Sequence, residues 1–228
     1  MLSKNSQYAN YGSRDDFKHL EDQGINLNGS IALMRYYGTQ PDRALKVKAA
    51  EMAGAVGCII YNDPAEDGFT RGPVYPEGRF VPSDGVQRGS VALTGWVVGD
   101  LLSPGFASLP EEPNRGSKDD NPAFPKIPSM ALAWRDAQNL LQALKSHGQK
   151  LDGDWGVGGV PDVEWWTGDH ASPIVHLQNE QDEVERRPIY NVLGRIPGKS
   201  SFRYRYALDH AHKWVLSHVS GALLPEYT

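Results

Sequence analysis

Two short apolar runs with one amphipathic stretch between them limit this chain more than any other feature. Ser30-Ile31-Ala32-Leu33-Met34-Arg35-Tyr36 and Val56-Gly57-Cys58-Ile59-Ile60-Tyr61 read as buried strands. Between them Leu45, Lys48, Ala49, Met52 and Ala53 share one helical face, with Pro41 suited to the first helical position and Gly54 closing the helix. Strand, helix and strand within residues 30–61 make one βαβ crossover, which requires parallel strands. Upstream, Ser13 is placed to cap a short helix that starts at Arg14, carries Asp15 and Asp16 in its first turn and stops before Gly24.

After Tyr61 the character changes. Nine Gly and nine Pro fall in the 65 residues 62–126, and only Ser90–Thr94 reads as a strand there. Loops of that length inside a compact domain are functional or supported by a partner. Ile127–Leu132 reads as a strand, and Arg135–His147 as a helix with Ala137, Leu140, Leu141 and Leu144 on one face, ending at Gly148. Pro173–Gln178 and Pro188–Ile196 read as two further strands, with Asn179–Arg187 as a hairpin loop between them. Residues 201–228 read as a separate helical tail.

Composition removes several classes of function. With 23 Lys+Arg against 28 Asp+Glu, a net charge of −5 and no basic block, nothing marks a nucleic-acid surface. The single cysteine, Cys58, excludes an internal disulfide framework and any multi-thiolate zinc site. No apolar run approaches the ~20 residues of a membrane helix, and MLSKNSQYANYG lacks the apolar centre of a signal peptide. These features leave the compartment open.

The residues that usually carry chemistry form no catalytic set. Gly54–Gly57 lies between helix and strand, the wrong order for a phosphate loop, and Gly156-Val157-Gly158-Gly159 has neither a Lys-Ser/Thr ending nor a following helix. His210 and His212 are two apart, so they diverge on a helix of ~3.6 residues per turn. Asp209, His210 and Ser217 lack any G-x-S-x-G elbow. Cys58, inside an apolar run, is expected to behave as a small hydrophobe. Asp63, Glu66 and Asp67 are expected as solvated turn residues after a strand, and Asn28-Gly29-Ser30, although a glycosylation sequon, as an ordinary turn. No residue is assigned a catalytic role.

A series of segments nevertheless resembles one family. Tyr8-Ala9-Asn10-Tyr11-Gly12, Gly24-Ile25-Asn26, Ile31–Tyr36, Lys46-Val47-Lys48-Ala49-Ala50, Ala53-Gly54-Ala55 and Ile59-Ile60-Tyr61 come in order. They are followed by Asp63-Pro64-Ala65, Tyr75-Pro76, Gly85-Val86-Gln87-Arg88-Gly89, Leu102-Ser103-Pro104-Gly105, Ile127-Pro128-Ser129 and Tyr190-Asn191-Val192-Leu193-Gly194. Together they resemble the protease-associated (PA) domain of the glutamate carboxypeptidase II and transferrin-receptor-like zinc metallopeptidases, over residues 8–198. The resemblance implies a mixed α/β fold of the swivelling β/β/α type, a β-rich core with short flanking helices, inserted into a peptidase domain and forming one wall of its substrate cavity. It implies that Arg43 is the counterpart of an arginine that reaches a substrate carboxylate, although the loop Thr39–Asp42 is longer and Ala44 replaces a usual glycine. Ser90 stands where the family often has a pocket asparagine. Ser103 and Phe106 correspond to residues whose backbone carbonyls help hold a structural calcium, the acidic ligands coming from the peptidase domain.

The departure lies at the end. After Ile196-Pro197-Gly198 the family continues into a strand that reaches its first zinc-ligand histidine, whereas Phe202-Arg203-Tyr204-Arg205-Tyr206 stands here. Residues 199–228 are therefore expected to be an unrelated helical or disordered tail, such as a frameshift, alternative splicing or a misplaced gene boundary would leave. No cofactor is expected in this chain, and zinc and calcium are expected in full-length relatives. The expected partners are a peptidase catalytic domain or a homologous chain, and a peptide ligand. Three readings follow: a non-catalytic binding module, part of an active zinc-dependent carboxypeptidase or aminopeptidase whose catalytic domain is on another chain, or a truncated product without independent function.

Overall fold

The computed structural model describes residues 1–111, 115–182, 184 and 187–190, with the backbone of 194–197 and 204–207. The chain divides into two units, 1–92 with 124–180 and 93–123 with 181–228. The first is built on a five-stranded sheet. Its strands are β1 (Leu2–Tyr8), β2 (Ile31–Arg35), β3 (Gly57–Tyr61), β4 (Ser129–Leu132) and β5 (Ile174–Leu177), in the order β4-β3-β2-β1-β5. The pairs among β1 to β4 are parallel, and β5 is antiparallel to β1. The helices are α1 (Arg14–Asp22), α2 (Arg43–Met52), the one-turn α3 (Pro64–Asp67) and α4 (Trp134–Ala143).

Side-chain alternation explains why both faces are covered. Ala32 and Met34 of β2, with Cys58 and Ile60 of β3, pack with Phe17, Leu20, Val47 and Ala50 of α1 and α2. Ile31 and Leu33, with Ile59 and Tyr61, pack with Ala137, Leu141, Leu144 and Trp165. The two apolar runs look continuous in sequence because neither face meets water. The βαβ reading of residues 30–61 matches β2-α2-β3, and β1-α1-β2 is a second unit of the same kind. That one is hard to read because β1 is LSKNSQY, with little β-former content. It forms a strand because it lies between two partners.

Local signals set the helix ends. Ser13 Oγ accepts from the Asp16 N–H at 3.0 Å and Asp16 Oδ2 from the Ser13 N–H at 2.9 Å, a reciprocal cap for α1. For α2 the cap is Asp42, whose Oδ1 accepts from the Ala44 N–H at 2.7 Å, so Pro41 precedes the helix rather than starting it. Helix α4 ends earlier than its apolar spacing predicts, at Ala143, and Leu144–Gly148 turn back with Ser146 at φ 68°.

Two strand expectations fail. Ser90–Thr94 is not a strand: Ser90 Oγ accepts from the Ala92 N–H at 3.2 Å, a local turn that competes with sheet pairing. The hairpin expected between Pro173–Gln178 and Pro188–Ile196 is not formed by β5, which pairs with β1 and closes the edge that β1 would otherwise leave open; of its loop, residues 183, 185 and 186 lie outside the described residues. In the second unit β6 (Gly194–Pro197) pairs antiparallel with β7 (Tyr204–Ala207). Those last four residues lie within the stretch expected as tail; 199–203 and 208–228, with His210, His212, Asp209 and Ser217, lie outside the described residues.

Side-chain hydrogen bonds replace regular structure among the described residues of 93–123. Asp100 Oδ1 accepts from the Leu102 N–H at 2.8 Å, its Oδ2 takes Arg115 and Ser108, and Asn121 Nδ2 donates to the Leu101 carbonyl at 2.7 Å. Burial pushes the Asp100 carboxyl up, but the donors from Leu102 and Arg115 outweigh it and hold it below the ordinary aspartate value.

Cys58 is fully buried, and burial pushes its thiol up to about 12. We expect the native protein to resist a thiol-alkylating reagent at pH 8 and to be labelled fully in denaturant; rapid labelling of the native chain would contradict this packing.

Candidate functional site

The carboxyl ends of parallel strands point one way, and here they deliver polar residues to one place. Arg35 ends β2, Asn10 and Tyr11 follow β1, and Asn62 and Asp63 follow β3. Arg35 and Asp63 are both buried, with Nη1 and Oδ2 3.6 Å apart. That is a charge contact, and Oδ2 has no hydrogen-bond partner among the described residues. The guanidinium also donates to Asn10 Oδ1 from Nη2 at 2.7 Å and to the Val157 carbonyl at 2.8 Å, and it lies 4.1 Å from the centre of the Tyr11 ring.

Asp63 corrects the expectation of a solvated turn. It caps α3, its Oδ1 accepting from the Ala65 N–H at 2.9 Å and from the Gly159 N–H at 2.6 Å. The Asp-Pro pair carries the signal for this: a capping acid followed by proline at the first helical position. Glu66 and Asp67 accept from the hydroxyls of Tyr11 and Tyr37, at 2.5 and 2.7 Å. The glycine run 156–159 cradles an anion after all, the protein's own. A Cβ at Gly158 would stand 2.7 Å from Asp63 Oδ2, and one at Gly159 2.9 Å from Oδ1.

Lys46 is buried beside this cluster. Its Nζ donates to the Tyr37 carbonyl at 2.7 Å and to the Tyr11 carbonyl. Burial depresses its pKa to about 8, the Asp16 carboxylate working against that and Arg35 with it.

On the same side, Arg43 opens α2 in the first turn. Its Cζ lies 5.7 Å from the centre of the buried Tyr36 ring, and its Nε is buried without a hydrogen-bond partner among the described residues. Burial raises the Tyr36 hydroxyl, and the Arg43 guanidinium pulls it back. The backbone of Gly89 closes on Arg43 so tightly that a Cβ there would stand 2.6 Å from Cζ. Ser90, next along, is exposed, and its hydroxyl is engaged by Ala92. The structure thus brings the segment that ends at Ser90 onto Arg43.

Ser103 and Phe106 are the ends of a type II turn. The Phe106 N–H donates to the Ser103 carbonyl at 3.1 Å, with Pro104 second and Gly105, at φ 81°, third. Two carbonyls, one of them already accepting, fall well short of the ~6–8 oxygens of a calcium site. The described residues contain no group of three or more His, Cys, Asp or Glu able to hold a metal ion. By themselves they do not fit calcium.

Residues 2–93, from β1 through both βαβ units to the segment on Arg43, match the family model of the PA domain. The chain carries a PA domain. A glutamate carboxypeptidase 2 homolog of Caenorhabditis briggsae is 33% identical over 225 residues, covering 94% of this chain and 28% of that protein. An inactive zinc metalloprotease of Schizosaccharomyces pombe is 35% identical over 198 residues, covering 85% and 25%. The aminopeptidase NAALADL1 of Mus musculus is 35% identical over 224 residues, covering 91% and 28%. The PA domain here is thus related to the glutamate carboxypeptidase family, and the chain spans about a quarter of the length of the curated relatives it matches. No helix among the described residues is long and apolar enough to cross a membrane.

Two outcomes follow for the polar cluster of this PA domain. Arg35→Met should cost about 3–5 kcal/mol in a denaturant melt, because it strands Asp63 as an unpaired buried charge. Lys46 has a lower pKa folded, about 8, than its ordinary 10.5, so the unfolded chain binds its proton more readily between those values. Its contribution to stability therefore rises with pH across that window, and Lys46→Met should flatten the slope in melts at stepped pH. Tyr11, pushed up to about 12 by burial and by its bond to Glu66, works the other way above pH 10.

Proposed function

We propose that this PA domain is a non-catalytic binding wall that takes the carboxylate of a peptide through Arg43, as part of, or partner to, a peptidase. The observation that carries the reading is the setting of Arg43: a guanidinium at the start of a helix, backed by Tyr36 and the bare backbone of Gly89. Its Nε is buried and the Gly89 backbone lies against Nη1, so Nη2, farther from that backbone, is the donor offered to a carboxylate. The kinship with glutamate carboxypeptidase 2 homologs supports an acidic peptide as the ligand. Ser90 lies beside this surface and belongs to the same proposal, as does a domain that takes in β1 from Leu2 rather than starting at Tyr8 and runs to 198. Ser103 and Phe106 would complete a calcium site only with acidic ligands from a peptidase domain, which would also hold any zinc.

A second reading, in which a peptidase domain completes an active zinc enzyme, is favoured by the length of the relatives and by the names of those called aminopeptidases. Titration calorimetry with N-acetyl-Glu-Glu and with its C-terminal amide separates the cases. The free acid should bind at least roughly tenfold tighter than the amide, as the loss of one charge-assisted bond implies, and Arg43→Ala should abolish that preference. A preference that survives Arg43→Ala, or none in the unmodified chain, would overturn the carboxylate assignment. Hydrolysis of the same peptide by the purified chain with zinc would overturn its non-catalytic part.

A further inference from the structure

Gln87 is the one residue of the segment 85–90 whose backbone and side chain are both bound to the sheet. Its N–H donates to Asn62 Oδ1 at 3.1 Å, its carbonyl accepts from the Tyr36 hydroxyl at 2.7 Å, and its side-chain Oε1 faces Asn62 Nδ2 at 3.4 Å. Both holders are rooted where strands end. Tyr36 directly follows β2 and is 2% exposed, and Asn62 directly follows β3 and has no exposure. Two residues past Gln87, Gly89 meets the Arg43 guanidinium.

We propose that Asn62 is a positioning residue for Arg43: through Gln87 it fixes the height of the Gly89 backbone, and so the direction in which the guanidinium points. Asn62 touches neither Arg43 nor a ligand bound to it. An amide suits this task because it can accept from the Gln87 N–H and donate to Oε1 at once; a carboxylate has no donor and an aliphatic side chain neither function. The gain is in preorganisation. An arginine side chain free to rotate gives up its rotamer entropy when a ligand arrives, and one already confined between Tyr36 and Gly89 does not. Tyr36 has two parts in the arrangement, its ring beneath Arg43 and its hydroxyl on Gln87.

This inference rests on the reading of Arg43 as the carboxylate ligand, but its test does not depend on that reading. The buried Nε–H of Arg43, identified by its loss in Arg43→Lys, should give a sharp and slowly exchanging ¹⁵N signal in the full chain. Asn62→Ala should speed its exchange by at least roughly tenfold and weaken N-acetyl-Glu-Glu binding about two- to tenfold, the range for losing one hydrogen bond. Tyr36→Phe, which keeps the ring and deletes only the hydroxyl, should do the same and decides the matter if Asn62→Ala does not fold. An Arg43 signal that exchanges at the original rate in the folded variants overturns the positioning role, even if peptide binding stays intact. A signal that changes in a chain that binds neither peptide supports positioning and overturns the carboxylate reading instead.

Discussion

A guanidinium and a carboxylate withdrawn from water hold the polar end of this sheet in place. Alone, the Arg35–Asp63 pair would be a poor bargain, since desolvating two charges costs about as much as their attraction returns. The surroundings alter the balance. Asn10, the Val157 carbonyl and the Tyr11 ring engage the guanidinium, and the N–H groups of Ala65 and Gly159 engage Asp63 Oδ1, leaving Oδ2, among the described residues, to the charge contact alone. In consequence the ends of β1, β2 and β3, helix α3 and the 154–159 segment are tied to one another by polar contacts, beside the packing of Trp155 on the Tyr8 ring. Tyr36 follows Arg35 and Asn62 precedes Asp63, so the residues set around Arg43 share the backbone of that knot.

Glycine has opposite uses in two parts of the chain. In 93–123 it permits turns, as at Gly105. In 156–159 and at Gly89 it permits approach: there the missing side chain lets backbone reach a carboxylate or a guanidinium. Composition alone does not separate these, because a count of glycines says nothing of what lies opposite each one.

The legible parts of the fold were those whose signal is local and repeated. The runs 31–35 and 57–61 and the cap at Ser13 could be read because each is a pattern of several residues that agree; the face of α2 could not, since Leu45 and Met52 are exposed and Ala44, Val47 and Ala50 are buried with Ala49. Strand β1 could not, since its structure comes from two neighbours rather than from LSKNSQY itself. In the sequence Asp63 looks like a surface acid because its partner, Arg35, is far off and ends an apolar run. For the candidate site, Arg43 entered through resemblance. Gln87 stood inside a segment that carries the resemblance but with no part assigned, and Asn62 had no signal, because an asparagine after a strand is ordinary until its hydrogen bonds are seen.

The placement of β1 has a bearing on how the chain is made. Of the five strands of this sheet, the earliest in the chain lies inside it, where Ser6 pairs with Ile31 on one side and Leu2 with Leu177 on the other. Synthesis therefore delivers β1, β2 and β3 long before β4, α4 and β5 exist to cover them. During that interval an apolar face and two strand edges stand open, a state prone to mispairing. The segment 2–93 that marks the family is in this sense a unit of ancestry rather than of folding, and the domain becomes self-sufficient only when its last strand returns to its first.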